Sequence, residues 1–138
     1  MEEIWVKNQI CRPGNAMHFM LINSIANNVE VIADGQPIAV SSSIKKVKEV
    51  GYDIYEPRLY FPRKDVDFTF LRESKKTSYC PLKGEAQYFD IIIEDKVIEN
   101  AAWSYVAMLT FDKRLSEIEG YVAFYKEILL TIEYPNTN

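Results

Sequence analysis

The sequence predicts a mainly β fold of compact antiparallel sheets, with one or two short helices. Three observations carry that prediction. Asp34-Gly35 stands between two β-prone runs, Val29-Glu30-Val31-Ile32-Ala33 and Pro37-Ile38-Ala39-Val40, and both turn residues tolerate the positive φ of a tight hairpin. A second hairpin runs from Gln87-Tyr88-Phe89-Asp90-Ile91-Ile92-Ile93 through the polar Glu94-Asp95-Lys96 to Val97 and on to Tyr105. Amphipathic helical periodicity is scarce elsewhere in the chain.

Taken in order, the elements follow from local chemistry. Pro13-Gly14-Asn15 is a turn, and the apolar run from Met17 to Ile25 is an edge strand or a packed arm. Ser41 to Val50 is ambiguous: Ile44, Val47 and Val50 have helical spacing, yet a strand continuing from the first hairpin fits equally well. Asp65 to Arg72 suits a short helix capped by Asp65, with Val66 and Phe70 on one face. Leu115 to Glu119 is one helical turn stopped by Gly120. Tyr121-Val122-Ala123-Phe124-Tyr125 is β-branched and aromatic enough for a strand, and Ile128 to Tyr134 is another, ended by Pro135. No repeat or linker divides the chain. Residues 1–28 are expected as an N-terminal arm or edge strand packed on a single β-rich domain, 29–135, with 136–138 as a tail.

Composition narrows the function classes. The 138 residues are 48% hydrophobic, ample for one packed interior. A formal charge of −4 argues against a general nucleic-acid binder, which needs a basic face for phosphates. The lysine groups Lys45, Lys46, Lys48 and Lys75, Lys76 suit a solvated surface. No apolar run approaches the ~20 residues of a spanning helix, so no membrane association is expected. Met1-Glu2-Glu3-Ile4-Trp5 lacks the basic-then-apolar layout of a signal peptide. The expectation is a cytoplasmic protein with Cys11 and Cys80 as free thiols; oligomeric state is not legible.

The candidate chemistry centres on Cys80-Pro81-Leu82-Lys83-Gly84. The thiolate is the nucleophilic form of cysteine, and a lysine three residues on stabilises such an anion if the turn brings it close. A small buried cysteine in a plain Pro-Leu-Lys-Gly turn accounts for the same residues. His18 is the only histidine, hence the only side chain whose ordinary pKa lies near neutrality, and a base for Cys80 if the fold joins them. Trp103 and Tyr105 lie two apart and share one strand face, which Tyr60 and Tyr88 join if the strands pair suitably. Such a face stacks on a flat ligand, or simply packs a core. Arg63, beside Tyr60-Phe61-Pro62, is a candidate contact for an anionic ligand.

Several segments together carry a family resemblance: Val31-Ile32-Ala33-Asp34-Gly35-Gln36-Pro37-Ile38-Ala39, Leu59-Tyr60-Phe61-Pro62-Arg63-Lys64-Asp65-Val66, and Thr77-Ser78-Tyr79-Cys80-Pro81-Leu82-Lys83-Gly84-Glu85-Ala86-Gln87-Tyr88. Asn100-Ala101-Ala102-Trp103-Ser104-Tyr105 and Ile118-Glu119-Gly120-Tyr121-Val122-Ala123-Phe124 complete the set. Their order and spacing resemble the domain of unknown function 427 family, sometimes labelled nucleotidyltransferase-like, from about Val29 to Tyr134. The resemblance implies a compact antiparallel β fold of the Mss4-like or β-tent type. Many such domains hold a structural zinc on paired Cys-x-x-Cys knuckles; this chain has none, so no metal or other cofactor is expected. Nucleotidyl transfer needs a Gly-Ser before paired aspartates, and none precedes Asp65-Val66-Asp67. Val106-Ala107-Met108 also departs from the family, whose members commonly place prolines there.

Two functions follow as expectations. One is a small-molecule-binding protein or enzyme with a pocket near the Cys80–Gly84 turn. The alternative is a non-catalytic protein-interaction module that uses the aromatic face around Trp103.

Overall fold

The computed structural model describes residues 8–125 and 130–133. Within them the strands are β1 Ile10–Arg12, β2 Asn15–Ile25, β3 Val29–Ala33, β4 Gln36–Ser41, β5 Ile44–Val50 and β6 Arg58–Phe61. They continue as β7 Leu71–Cys80, β8 Gly84–Ile93, β9 Lys96–Ser104, β10 Val122–Phe124 and β11 Leu130–Glu133. The chain is mainly β, as its sequence predicts. An eight-stranded sheet has the order β1-β2-β5-β6-β10-β9-β8-β7, and a three-stranded sheet the order β11-β3-β4. Every neighbouring pair is antiparallel.

The two expected hairpins form. Asp34 and Gly35 join β3 to β4 with φ of +50° and +80°, the left-handed pair a two-residue turn demands. Glu94 and Asp95 join β8 to β9. The ambiguous stretch is resolved as strand β5, whose register is fixed by antiparallel pairing with Phe19 to Ile25 of β2. The run from Met17 to Ile25 is not at an edge: β2 lies between β1 and β5, and among the described residues β1 takes the edge. Residues 130–133 of the expected C-terminal strand pair with β3, while Ile128, Leu129 and Tyr134 lie outside the described residues.

Among the described residues helical structure is limited to short 3-10 turns. The expected helix from Asp65 to Arg72 is replaced by turns at Arg63–Asp65 and Phe68–Phe70, because β7 begins at Leu71. Its cap is Asp67, whose side chain accepts the Thr69 N–H, rather than Asp65. Asp65 instead accepts the Ser41 hydroxyl at 2.6 Å, and the same hydroxyl accepts the Ser43 N–H at 3.0 Å. That cluster fixes the point where the chain leaves the small sheet for the large one. The turn expected at Leu115 is a 3-10 helix, Lys113–Ile118, capped by Asp112, with Gly120 beyond it.

Strand alternation divides the large sheet into two apolar faces. Phe61, Phe89, Ile91, Ala102, Val122 and Phe124 face the small sheet and pack with Val29, Val31 and Ile38. Tyr60, Tyr88, Trp103 and Ala123 face the other way and pack with Ile10, Met20, Leu82, Leu115 and Ile118. Met20 on β2 and Tyr88 on β8 stand far apart in strand order yet share one core, so the sheet curls on itself. One device for that bend is the register shift between Phe89 and Ile91. There Asn100 takes φ +52° and donates its N–H to Asp90 Oδ1 at 2.8 Å, while Arg72 donates to Asp90 Oδ2 at 3.1 Å. Among the described residues no helix is long and apolar enough to cross a membrane.

Candidate functional site

The curl leaves a cavity of about 250 Å³ on its concave face, lined by Glu49, Arg58, Tyr60, Lys83, Tyr88, Trp103, Tyr105 and Tyr125 among others. Period-two alternation builds it. Val47 and Glu49 share a face of β5, Arg58 and Tyr60 a face of β6, and Trp103 and Tyr105 a face of β9 and its extension. Each element therefore sends two side chains inward. The rings meet closely: Trp103 lies 4.4 Å from Tyr125 between centroids and 6.4 Å edge-on from Tyr60, to whose hydroxyl it donates its indole N–H at 3.2 Å. The Arg58 guanidinium lies over the same two rings, 5.6 Å from Trp103 and 5.3 Å from Tyr125.

Lys83 enters from the turn between β7 and β8. Its N–H donates to the Cys80 carbonyl at 3.1 Å, and its own carbonyl accepts the Leu109 N–H at 3.0 Å. Gly84 follows with φ +118°, and a Cβ there would come within 3.2 Å of the Ala107 carbonyl oxygen. Only glycine allows that approach. Held on both sides, the turn directs the Lys83 side chain inward, where the residue is 4% exposed.

A buried ammonium needs an anion, and Glu49 supplies it. Lys83 Nζ donates to Glu49 Oε1 at 2.6 Å, and His18 Nε2 meets Glu49 Oε2 at 2.8 Å. An ionised carboxylate only accepts, so His18 carries its proton on Nε2 in this contact. Burial alone would raise the Glu49 carboxyl, but the charge and hydrogen bond of Lys83 and the bond from His18 outweigh it and hold it below its ordinary 4.5. For Lys83, burial alone pulls the ammonium down; the surrounding Tyr60, Cys80, Tyr105 and Glu49 outweigh it and push it above the ordinary 10.5. Burial raises the phenols of Tyr60 and Tyr105, so both stay protonated.

The site therefore gathers Lys83, Trp103, Tyr105, Tyr60 and Tyr88 around one space. His18 reaches the far side of Glu49, and among the described residues no hydrogen bond joins it to Cys80. Cys80 is half-buried and packs against the concave core behind the turn. Arg63 is elsewhere: its guanidinium lies 4.5 Å over Phe68 and 5.8 Å from Phe89, on the face toward the small sheet, and donates to Ser104 Oγ and the Gly120 carbonyl. Glu49, Arg58 and Tyr125 were not singled out by sequence. The signal for Glu49 is an acid two residues after Val47 on a core-facing strand, and it appears only once that stretch is known to be a strand.

Among the described residues no group of three or more His, Cys, Asp or Glu side chains is placed to hold a metal ion. A family model described as domain of unknown function (DUF427) matches residues 21–134. No curated protein matches the chain.

Proposed function

The chain belongs to the family described as domain of unknown function (DUF427), and on that premise we propose that its concave cavity binds a small flat molecule through a carbonyl or carboxylate oxygen. One observation carries the reading. The Tyr105 hydroxyl, on a residue only 7% exposed, has no hydrogen-bond partner among the described residues, and the Lys83 ammonium lies 5.5 Å from the same ring's centroid. Among the described residues no buried polar side-chain atom is left unpaired, so this hydroxyl opens on the cavity, where a ligand acceptor can replace water as its partner. Tyr60 accepts from Trp103 but donates its own proton to no described residue. Lys83 has three N–H bonds and gives one to Glu49.

The space is thus rich in donors and asks for an acceptor. Its walls ask for a flat body, because Trp103, Tyr125, Tyr88 and Tyr60 offer ring faces and edges for stacking. A volume of about 250 Å³ falls just below the range of drug-sized pockets, which fits a single-ring metabolite. An ammonium held charged by Glu49 is a poor nucleophile and a good partner for an oxyanion. Lys83 accordingly serves as a polarising donor. The alternative, a protein-interaction face around Trp103, is less well supported, because Trp103 is 6% exposed and Tyr60 2%. A partner protein's surface does not reach rings so recessed.

Benzoate is the simplest probe of this chemistry. The chain has two tryptophans, Trp5 and Trp103, so a Trp5→Phe background leaves one indole N–H resonance to follow by NMR. Benzoate is expected to shift that resonance saturably, and Lys83→Met to weaken binding about tenfold or more, the loss of one charge-assisted hydrogen bond. Cyclohexanecarboxylate, with the same charge but no flat face, is expected to bind more weakly. Absence of any saturable shift at millimolar benzoate would remove the reading.

A further inference from the structure

Next to the cavity lies a second hollow of about 440 Å³, open to solvent, between the β1–β2 turn and the segment that follows β5. Its lining includes Arg12, Asn15, Met17, His18, Gly51 and Tyr55. Two features connect it to the cavity. Tyr55 lines both spaces. His18, in the wall of the outer hollow, is bonded to Glu49, in the wall of the inner one.

The outer wall is built tightly. The β1–β2 turn is ordered by Asn15 Oδ1, which accepts the Met17 N–H at 3.1 Å. Opposite it, Tyr55 donates its N–H to the Glu49 carbonyl at 3.1 Å, and Gly51 donates to the Asp53 carbonyl at 2.9 Å. A Cβ at Gly51 would lie 3.2 Å from His18 Cδ2 and 3.4 Å from Tyr55 Cε2. The absence of a side chain there lets the histidine and tyrosine rings close together over the backbone.

Charge gives the hollow its preference. Arg12 is half-buried, and its guanidinium has no hydrogen bond or ion pair among the described residues. No carboxylate lines the space: Glu49 stands behind His18 and is engaged by both His18 and Lys83. A guanidinium with five unengaged donors suits an oxyanion, and the His18 ring, held by Glu49 through Nε2, lines the same space. We propose that this hollow is a second subsite of the same binding site, taking an anionic phosphate or carboxylate group on Arg12, beside the His18 ring. The flat part of the same ligand passes Tyr55 to set its oxygen against Lys83 and Tyr105. The inference rests on the cavity reading above and extends it. The ligand class becomes an elongated molecule, flat at one end and anionic at the other.

His18 is the only histidine, so its ring resonances report on the outer hollow as the indole of Trp103 reports on the cavity. In the Trp5→Phe background at fixed pH, three probes separate the subsites: inorganic phosphate, benzoate, and 4-(phosphonomethyl)benzoate, which carries an anion at each end of one ring. Phosphate is expected to shift His18, benzoate to shift Trp103, and the bifunctional compound to shift both while binding about tenfold tighter than benzoate. Arg12→Gln is expected to return the bifunctional compound to benzoate's affinity and to abolish the phosphate response at His18. A bifunctional compound that shifts Trp103 alone, with affinity unchanged by Arg12→Gln, overturns the second subsite and leaves the cavity reading intact. If neither aromatic acid moves Trp103, the cavity reading falls, and the second subsite with it.

Discussion

Replacing Glu49 by leucine is expected to destabilise the protein by about 3–5 kcal/mol, the usual cost of leaving one partner of a buried ion pair uncompensated. The direction follows from which partner remains. Lys83 is 4% exposed, and Glu49 Oε1 at 2.6 Å is the acceptor its ammonium has in that wall. Leucine fills a similar volume and suits a strand, so the loss isolates the charge rather than the packing. The measurement is urea unfolding, read as a lower midpoint with an unchanged slope. Adding Lys83→Met removes the stranded charge and is expected to restore most of the loss. A single variant as stable as the parent would mean that the ammonium finds water instead of being buried. The same pair sets a pH window. Glu49 is depressed below 4.5, so its contribution is present above that value and fades as pH falls through the folded-state pKa. Lys83 is raised above 10.5, so its contribution is full below that value and fades only as pH climbs through the higher folded-state pKa.

Trp103→Ala is expected to cost a comparable amount, about 3–5 kcal/mol, by the lost transfer free energy and the void left behind. The indole packs against Tyr125 at 4.4 Å with the rings tilted by 48°, meets Tyr60 edge-on and donates to its hydroxyl. It also forms part of the cavity wall, so the void merges with space already present and the walls cannot collapse to fill it. Urea midpoints again give the magnitude. Trp103→Phe keeps a ring and loses the indole N–H, and is expected to cost about 0.5–1.5 kcal/mol beyond its volume change. A destabilisation by alanine below about 1 kcal/mol would show that the aromatic wall is not a packed unit.

Much of the fold was legible because its cues are local. Asp34-Gly35 needs only two residues with positive φ to declare a hairpin, and Trp103 with Tyr105 needs only the two-residue period to declare a shared face. The cues fail where a long-range partner decides. Ile44, Val47 and Val50 fit a helix or a strand, and the choice rests on pairing with β2 and β6, which no local pattern contains. Glu49 was hidden by that ambiguity, and with it the reason for His18: the histidine comes to the site through the pairing of β2 with β5, then bonds a residue on the neighbouring strand. The expected cap at Asp65 gave way to a tertiary hydrogen bond with Ser41, while Asp67, two residues on, took the capping role. Arg63 looked like a neighbour of Tyr60 because both flank Phe61-Pro62. The chain leaves β6 at Pro62 for a 3-10 turn, which carries the guanidinium to the opposite face of the sheet.

The Cys80–Gly84 segment gains its importance from Lys83 rather than from the thiol. The turn is a device for burying an ammonium: its backbone is held by Cys80 and Leu109, its glycine permits the close approach of Ala107, and its side chain ends against Glu49. Everything inferred about the ligand depends on Lys83 being a charged donor and not a neutral amine. The direct test is the titration of Lys83 itself, followed by NMR through its 13Cε and 15Nζ resonances and assigned by their loss in Lys83→Arg. The structure predicts that Lys83 remains an ammonium through pH 10.5 and titrates only above it. A midpoint below 10.5, with a neutral amine present near neutrality, would contradict the account and turn Lys83 from an oxyanion partner into a nucleophile.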